Sequence, residues 1–159
     1  MRLIIISGPS GSGKTTLSKQ FVNKIPNGVI LNTDNYYKTG FASRLLSKIV
    51  RHYFDRNISF NINLFKRDLN FITKHCSSKY SYKYNFKNKS IKKIYKKTKN
   101  IRFIIIEGIF GKEILKKTTS NNIILIKLKT NKETCLKRVV KRDYEERGKT
   151  KKIARKDFL

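Results

Sequence analysis

Lys14 is preceded by Gly8-Pro9-Ser10-Gly11-Ser12-Gly13 and followed by Thr15 and Thr16. The spacing is G-x-x-x-x-G-K-[ST], placed between the apolar run Leu3–Ile6 and a helix-like run from Thr16 to Val22. A glycine-rich turn between strand and helix lets successive backbone N–H groups face one point, and the helix N-terminus adds positive potential there. That chemistry suits the oxygens of a nucleoside triphosphate. Lys14 is placed to reach the β- and γ-phosphates, and the Thr15 hydroxyl to hold Mg²⁺. Gly8 to Thr16 are therefore the candidate nucleotide-binding residues, with ATP or GTP as donor and Mg²⁺ as the accompanying metal.

Two carboxylates stand at the ends of further apolar runs. Asp34 follows Gly28–Thr33, and Glu107 closes Ile101–Ile106. In open α/β sheets ligands bind beyond the C-terminal ends of the strands. Asp34 is thus positioned to meet an acceptor near the γ-phosphate, and Glu107 to hold the metal directly or through water. A cationic segment, Arg138 to Lys149, supplies Arg142 and Arg147. Such arginines can neutralise charge that develops in phosphoryl transfer. The plainer readings are a turn-capping role for each carboxylate and a salt-bridged exposed helix for the arginines.

The elements that must position these groups alternate in type. Residues 2–7, 28–33, 101–108 and 122–128 read as strands; the near-continuous apolar content of the first suggests burial on both faces, and the third is again nearly all apolar. Helical stripes follow. Leu45, Leu46, Ile49, Val50, Tyr53 and Phe54 form one, and Ile62, Phe65, Leu69, Ile72 and Cys76 another, both expected in the core. His52 and His75 have no neighbours that suggest a metal site. A short helix is expected at 111–117, another after Asn131, and the start of a last one from Ile153. The pattern predicts a three-layer α/β/α fold of the P-loop NTPase type, with a mainly parallel sheet of four visible strands. Tyr80, Tyr82, Tyr84 and Phe86 alternate with polar residues and predict a small inserted hairpin near 79–90. The expected organisation is one domain over 1–159, with 77–100 as an acceptor-side insertion and 138–150 as a lid.

Composition narrows the partners. The 159 residues carry 38 Lys and Arg against 10 Asp and Glu, a formal net charge of +28. A cation this strong favours anionic ligands in general. The lysines are spread over nearly every segment together with Asn and Ile, which argues for a habit of composition. The alternative is a nucleic-acid or polyanion surface, with the aromatics of 80–86 as a stacking platform. No apolar run is long enough to span a membrane, and no secretory pattern is evident, so a cytoplasmic protein is expected. Cys76 and Cys135 are too few for a disulfide framework and are expected to be free, partly buried thiols.

Several pieces together resemble the uridine kinase (uridine–cytidine kinase) family of P-loop nucleoside kinases. They are Gly8–Thr15, Thr33-Asp34-Asn35-Tyr36-Tyr37-Lys38, Ile105-Ile106-Glu107-Gly108-Ile109, and Arg142-Asp143-Tyr144-Glu145-Glu146-Arg147-Gly148. The D-x-[FY]-Y and R-D-x-x-x-R-G elements are far more specific than a P-loop alone. The resemblance implies transfer of a γ-phosphoryl from ATP or GTP to the 5′-hydroxyl of a nucleoside, uridine or cytidine first. It implies Asp34 as the group that takes or orients the hydroxyl proton, with Lys14, Arg142 and Arg147 also catalytic. Thr15 and Glu107 would hold the metal, and Asp34, Tyr37, Tyr84 and Lys89 would face the acceptor. Lys89 stands where the family has a base-contacting histidine. Val139 stands where it has a further arginine. Related readings are a nicotinamide riboside kinase-like enzyme and a nucleotide-dependent nucleic-acid-binding protein without kinase activity.

Overall fold

The computed structural model describes residues 1–50, 53–111, 114 and 122–158. Most of the helix expected at 111–117, and His52, lie outside these residues.

Four strands form one parallel sheet: β1 (Arg2–Ser7), β2 (Gly28–Asn32), β5 (Phe103–Glu107) and β6 (Ile123–Lys127). Their order is β2-β5-β1-β6, so β1 and β5 lie inside. The interior strands are the most apolar ones, and all five residues of β5 are buried. Full burial of each isoleucine contributes about 1.5–3 kcal/mol, and Ile5, Ile6, Ile104, Ile105 and Ile106 are all completely enclosed.

Alternation along the strands divides the core. Ile4, Ile6, Phe103 and Ile105 face α1 (Lys14–Lys24) through Leu17, Phe21 and Val22. Leu3, Ile5, Leu31, Ile104 and Ile106 face the other way, onto Phe65, Leu69 and Ile72 of α3 (Ile62–His75). The interior strands β1 and β5 are therefore covered on both faces, as a parallel sheet requires, whereas Ile124 and Leu125 of the edge strand β6 are exposed. Two further helices close the described chain: α4 (Lys132–Arg147) and α5 (Lys151–Phe158).

Register sets the geometry that matters for function. Glu107 lies level with Ile6 on one side and Asn32 on the other. The C-terminal ends of β1, β2 and β5 thus share one rim. The loop after β1, the turn after β2 and the last residue of β5 all emerge there.

Four sequence expectations need correction. The hairpin is longer than 79–90: β3 (Ser78–Asn85) pairs antiparallel with β4 (Ser90–Thr98), so the basic stretch is itself a strand. The second sheet strand ends at Asn32, and Thr33–Tyr36 form a 3-10 turn that carries Asp34. In α2 (Phe41–Ile49) the apolar stripe is not core, because Leu45 and Ile49 are exposed and only the adjoining Tyr53 is buried. An amphipathic period gives a face but not what covers it. Cys76 is exposed, since it occupies the left-handed position that ends α3 (φ 48°), whereas Cys135 is buried.

Candidate functional site

The loop between β1 and α1 is shaped by its own lysine. Lys14 Nζ donates to the carbonyl oxygens of Gly8 and Pro9, each at 2.9 Å. Gly11 sits at φ +79°, and a Cβ there would come within 2.5 Å of the Cys135 carbonyl on α4, so only glycine lets loop and helix meet. No side chain caps α1, whose N-cap is Gly13. Its first N–H groups are left for a ligand, as at other anion-binding helix starts.

A cleft of about 230 Å³ opens at this point. It is lined by Ser10, Gly11, Gly13, Lys14, Thr15, Thr16, Asp34, Glu107, Gly108, Ile109, Arg138 and Arg142. The structure therefore brings together Lys14, Thr15, Asp34, Glu107 and Arg142 from four separate stretches of sequence. Gly8, Pro9 and Ser12 stand behind the lining. The first two hold Lys14, and the Ser12 side chain is buried.

Glu107 is 2% exposed. Thr15 Oγ1 donates to its carboxylate at 3.1 and 3.3 Å. Asn32 Nδ2 donates to Glu107 Oε1, while Asn32 Oδ1 accepts from the Asp34 amide at 2.7 Å. One amide side chain thus fixes both carboxylate residues. Replacing it removes a partner from a buried acceptor, which costs about 1–3 kcal/mol. Asn32→Ala is expected to lower the unfolding free energy by about that amount in a urea titration.

Charge within the cleft is strongly perturbed. Burial, then the Asp34 charge, pushes the Glu107 carboxyl up to about 7, against the opposing pull of Thr15 and Lys14. Burial lowers Lys14, with Asp34 and Glu107 opposing. The folded chain therefore holds a proton on Glu107 that the unfolded chain releases near 4.5. Its contribution to stability is full below that pH and is lost as pH rises through about 7. The apo protein is expected to lose up to about 3 kcal/mol across this window. Thermal unfolding of wild type and Glu107→Gln at a series of pH values checks this, because the variant lacks that part of the slope.

The donor set fits Mg²⁺. A hydroxyl and a carboxylate at hydrogen-bond distance of each other are hard oxygen ligands, and such sites keep several waters. Thr15 and Glu107 would hold the ion, whose chemistry is to neutralise charge on the phosphate oxygens.

The cationic segment lies on α4 and just beyond it. Its centre is Asp143, 3% exposed. Asp143 accepts from Arg142 at 2.6 and 2.9 Å, and pairs with Arg147 at 3.5 Å and Lys149 at 3.3 Å. Arg142 faces the cleft, as does Arg138, whose Nη1 donates to the Gly11 carbonyl at 3.3 Å. Arg147 is placed differently. Its guanidinium lies 3.7 Å from Asp34 and 3.7 Å above the Phe86 ring of the hairpin turn.

Three predicted acceptor residues are not in this cleft. Tyr37 and Tyr84 are buried, 5.2 Å apart in an aromatic cluster with Phe54 and Phe86. Burial raises the Tyr84 phenol to about 12. Lys89 donates to Ser47 on α2 at 2.6 Å and lines a separate groove with Arg44 and Lys87. Sequence reading missed Asn32, Arg138 as a cleft residue, and Asp143 as the centre of the cations. An Asn two residues before a carboxylate at a strand's end was the only available sign of the first.

Comparison with known proteins agrees with this geometry. The model of the phosphoribulokinase / uridine kinase family matches residues 3–156. A uridine kinase of Ureaplasma parvum serovar 3 is 31% identical, with 93% of this chain and 72% of that protein covered. A uridine kinase of Borrelia garinii subsp. bavariensis is 32% identical, covering 94% of this chain and 70% of the relative. Among solved structures, a candidate fructose transport system kinase from Silicibacter sp. TM1040 superposes with TM-score 0.69 at 20% identity, over 98% of this chain and 78% of that one. The last likeness concerns fold alone. The motifs on the rim, the parallel sheet behind them and the match over residues 3–156 lead to one assignment: the chain belongs to the phosphoribulokinase / uridine kinase family.

Proposed function

We propose that this chain is a nucleoside kinase. It transfers the γ-phosphoryl of ATP or GTP, bound with Mg²⁺, to the 5′-hydroxyl of a nucleoside, with uridine or cytidine as acceptor. The observation that carries this is the convergence of Lys14, Thr15, Asp34 and Glu107 on one cleft at the sheet rim. The relatives' names, uridine kinase throughout those compared, support the acceptor class.

The residues divide the work. The loop amides and Lys14 bind the donor phosphates. Asp34 accepts the hydroxyl proton and orients the attacking oxygen. Arg138 and Arg142 face the phosphates, and Arg147 holds Asp34. Residues 138–150 act as a lid whose arginines Asp143 keeps aligned. The hairpin wall, with Tyr37 and Tyr84 behind Phe86, bounds the acceptor side. In such a site catalysis is mostly positioning and charge stabilisation. A nucleotide-triphosphate substrate and two free cysteines suit the cytoplasm.

The test is a panel of nucleosides, nicotinamide riboside included, incubated with labelled ATP or GTP and Mg²⁺, with products separated by mass. Uridine or cytidine monophosphate is the expected product. Hydrolysis without any phosphorylated acceptor would refute the proposal.

A further inference from the structure

Residues 77–100 contain nine lysines and no aspartate or glutamate. In the structure they are the β3–β4 ribbon, hydrogen-bonded as a separate two-stranded sheet. β3 is the inner strand. Its Tyr84 amide donates to Asn35 Oδ1 at 3.0 Å, and Tyr80 O–H donates to the buried Asp68 at 3.3 Å. β4 is the outer strand, and every residue from Lys92 to Lys97 is exposed.

Folding accounts for only part of this charge, Lys89 bonding Ser47 at 2.6 Å and Lys79 lying 5.7 Å from the Phe71 ring centroid. Lys83 stands directly across from Lys92, and like charges at facing positions destabilise an antiparallel pair. On β4, Lys93 has an aromatic partner, its Nζ lying 3.9 Å from the Tyr80 ring centroid and 5.2 Å from that of Tyr95. Tyr95 itself is 78% exposed. The outer edge of β4 thus offers a bare aromatic face between Lys93 and Lys97, with Lys92 and Lys96 on the opposite face of the same strand.

We propose that the outer edge of the β3–β4 ribbon binds single-stranded nucleic acid, with a base stacked on Tyr95 and phosphates held by Lys92, Lys93, Lys96 and Lys97. Alternating cations and an exposed aromatic are the combination that tracks a strand without reading its sequence. The surface is separate from the kinase cleft, and its test does not depend on kinase activity.

The experiment is fluorescence anisotropy with a short labelled oligouridylate over a range of KCl. One variant replaces Lys92, Lys93, Lys96 and Lys97 with Gln. A control replaces four other exposed lysines, Lys24, Lys129, Lys132 and Lys137, with Gln. Both variants have the same net charge, so a bulk effect would be equal in the two. The ribbon variant is expected to bind at least about tenfold more weakly near 100 mM salt, with a salt slope shallower by about 3. The control should stay within about threefold of wild type. Tyr95→Ala should weaken binding at least about fivefold and leave the salt slope unchanged. Circular dichroism and retained nucleotide affinity establish that the variants are folded. Equal losses in ribbon and control variants would overturn the proposal. So would heparin or duplex DNA binding as tightly as the oligouridylate, or an inert Tyr95→Ala.

Discussion

Asp34→Asn is expected to lower kcat by about 10²–10⁴ while nucleotide affinity stays within about threefold of wild type. The substitution keeps the shape of the side chain and removes its capacity to take a proton. Asp34 lies in the cleft with Lys14 and Glu107; its amide is held by Asn32 and its carboxylate lies 3.7 Å from Arg147. Its charge raises the Glu107 carboxyl, so its removal lets Glu107 ionise more readily. Metal-bound nucleotide should then bind as well as before or slightly better. Steady-state turnover on the best nucleoside, paired with calorimetric titration of the nucleotide, separates the two effects. Turnover near the wild-type level would take Asp34 out of the chemistry, and a lost nucleotide affinity would make it a donor-side residue instead.

The parts of this site that could be read from the chain are those fixed by immediate neighbours. Gly8 to Thr16 carry their own geometry: glycines where the backbone must bend, then a lysine and a hydroxyl at the start of a helix. Asp34 and Glu107 were legible because buried parallel strands are apolar throughout, so a carboxylate at the end of one marks the rim. What could not be read depends on distant contacts. Asn32 and Glu107 are 75 residues apart, and only the β2–β5 register makes them neighbours. Arg147 reads as one of several equivalent arginines until the hairpin turn brings Phe86 beneath it. The stripe on α2 has the period of a core helix, yet Ile49 is 72% exposed, because periodicity describes a helix and not its surroundings. Lys89 was placed by alignment with a family position, whereas the turn swings it to Ser47.

Lys14→Ala is expected to act on the other substrate. An ammonium group has three protons to donate, and two of them go to Gly8 and Pro9. The third is free to meet a phosphate in the cleft that Lys14 lines. The side chain is 8% exposed, and burial lowers its pKa. It is therefore a desolvated cation, whose attraction for a phosphate is much stronger than that of a surface lysine. A hydrogen bond to a charged group is worth about 1.5–3 kcal/mol, so nucleotide affinity should fall by about ten- to a hundredfold. Turnover should fall further, by about 10²–10³, because negative charge shifts on the phosphate oxygens as the bond to the leaving group breaks. Lys14→Met separates two causes: it keeps most of the buried stem but none of the donors. If the methionine variant binds nucleotide as weakly as the alanine variant, the ammonium group is responsible and not the packing of the loop. Unchanged nucleotide affinity in both would mean that the loop carbonyls, and not a phosphate, are the proper partners of Lys14. Asp34→Asn and Lys14→Ala thus predict opposite patterns, one sparing nucleotide binding and the other losing it. Only a site with the acceptor on the Asp34 side and the donor on the Lys14 side produces both.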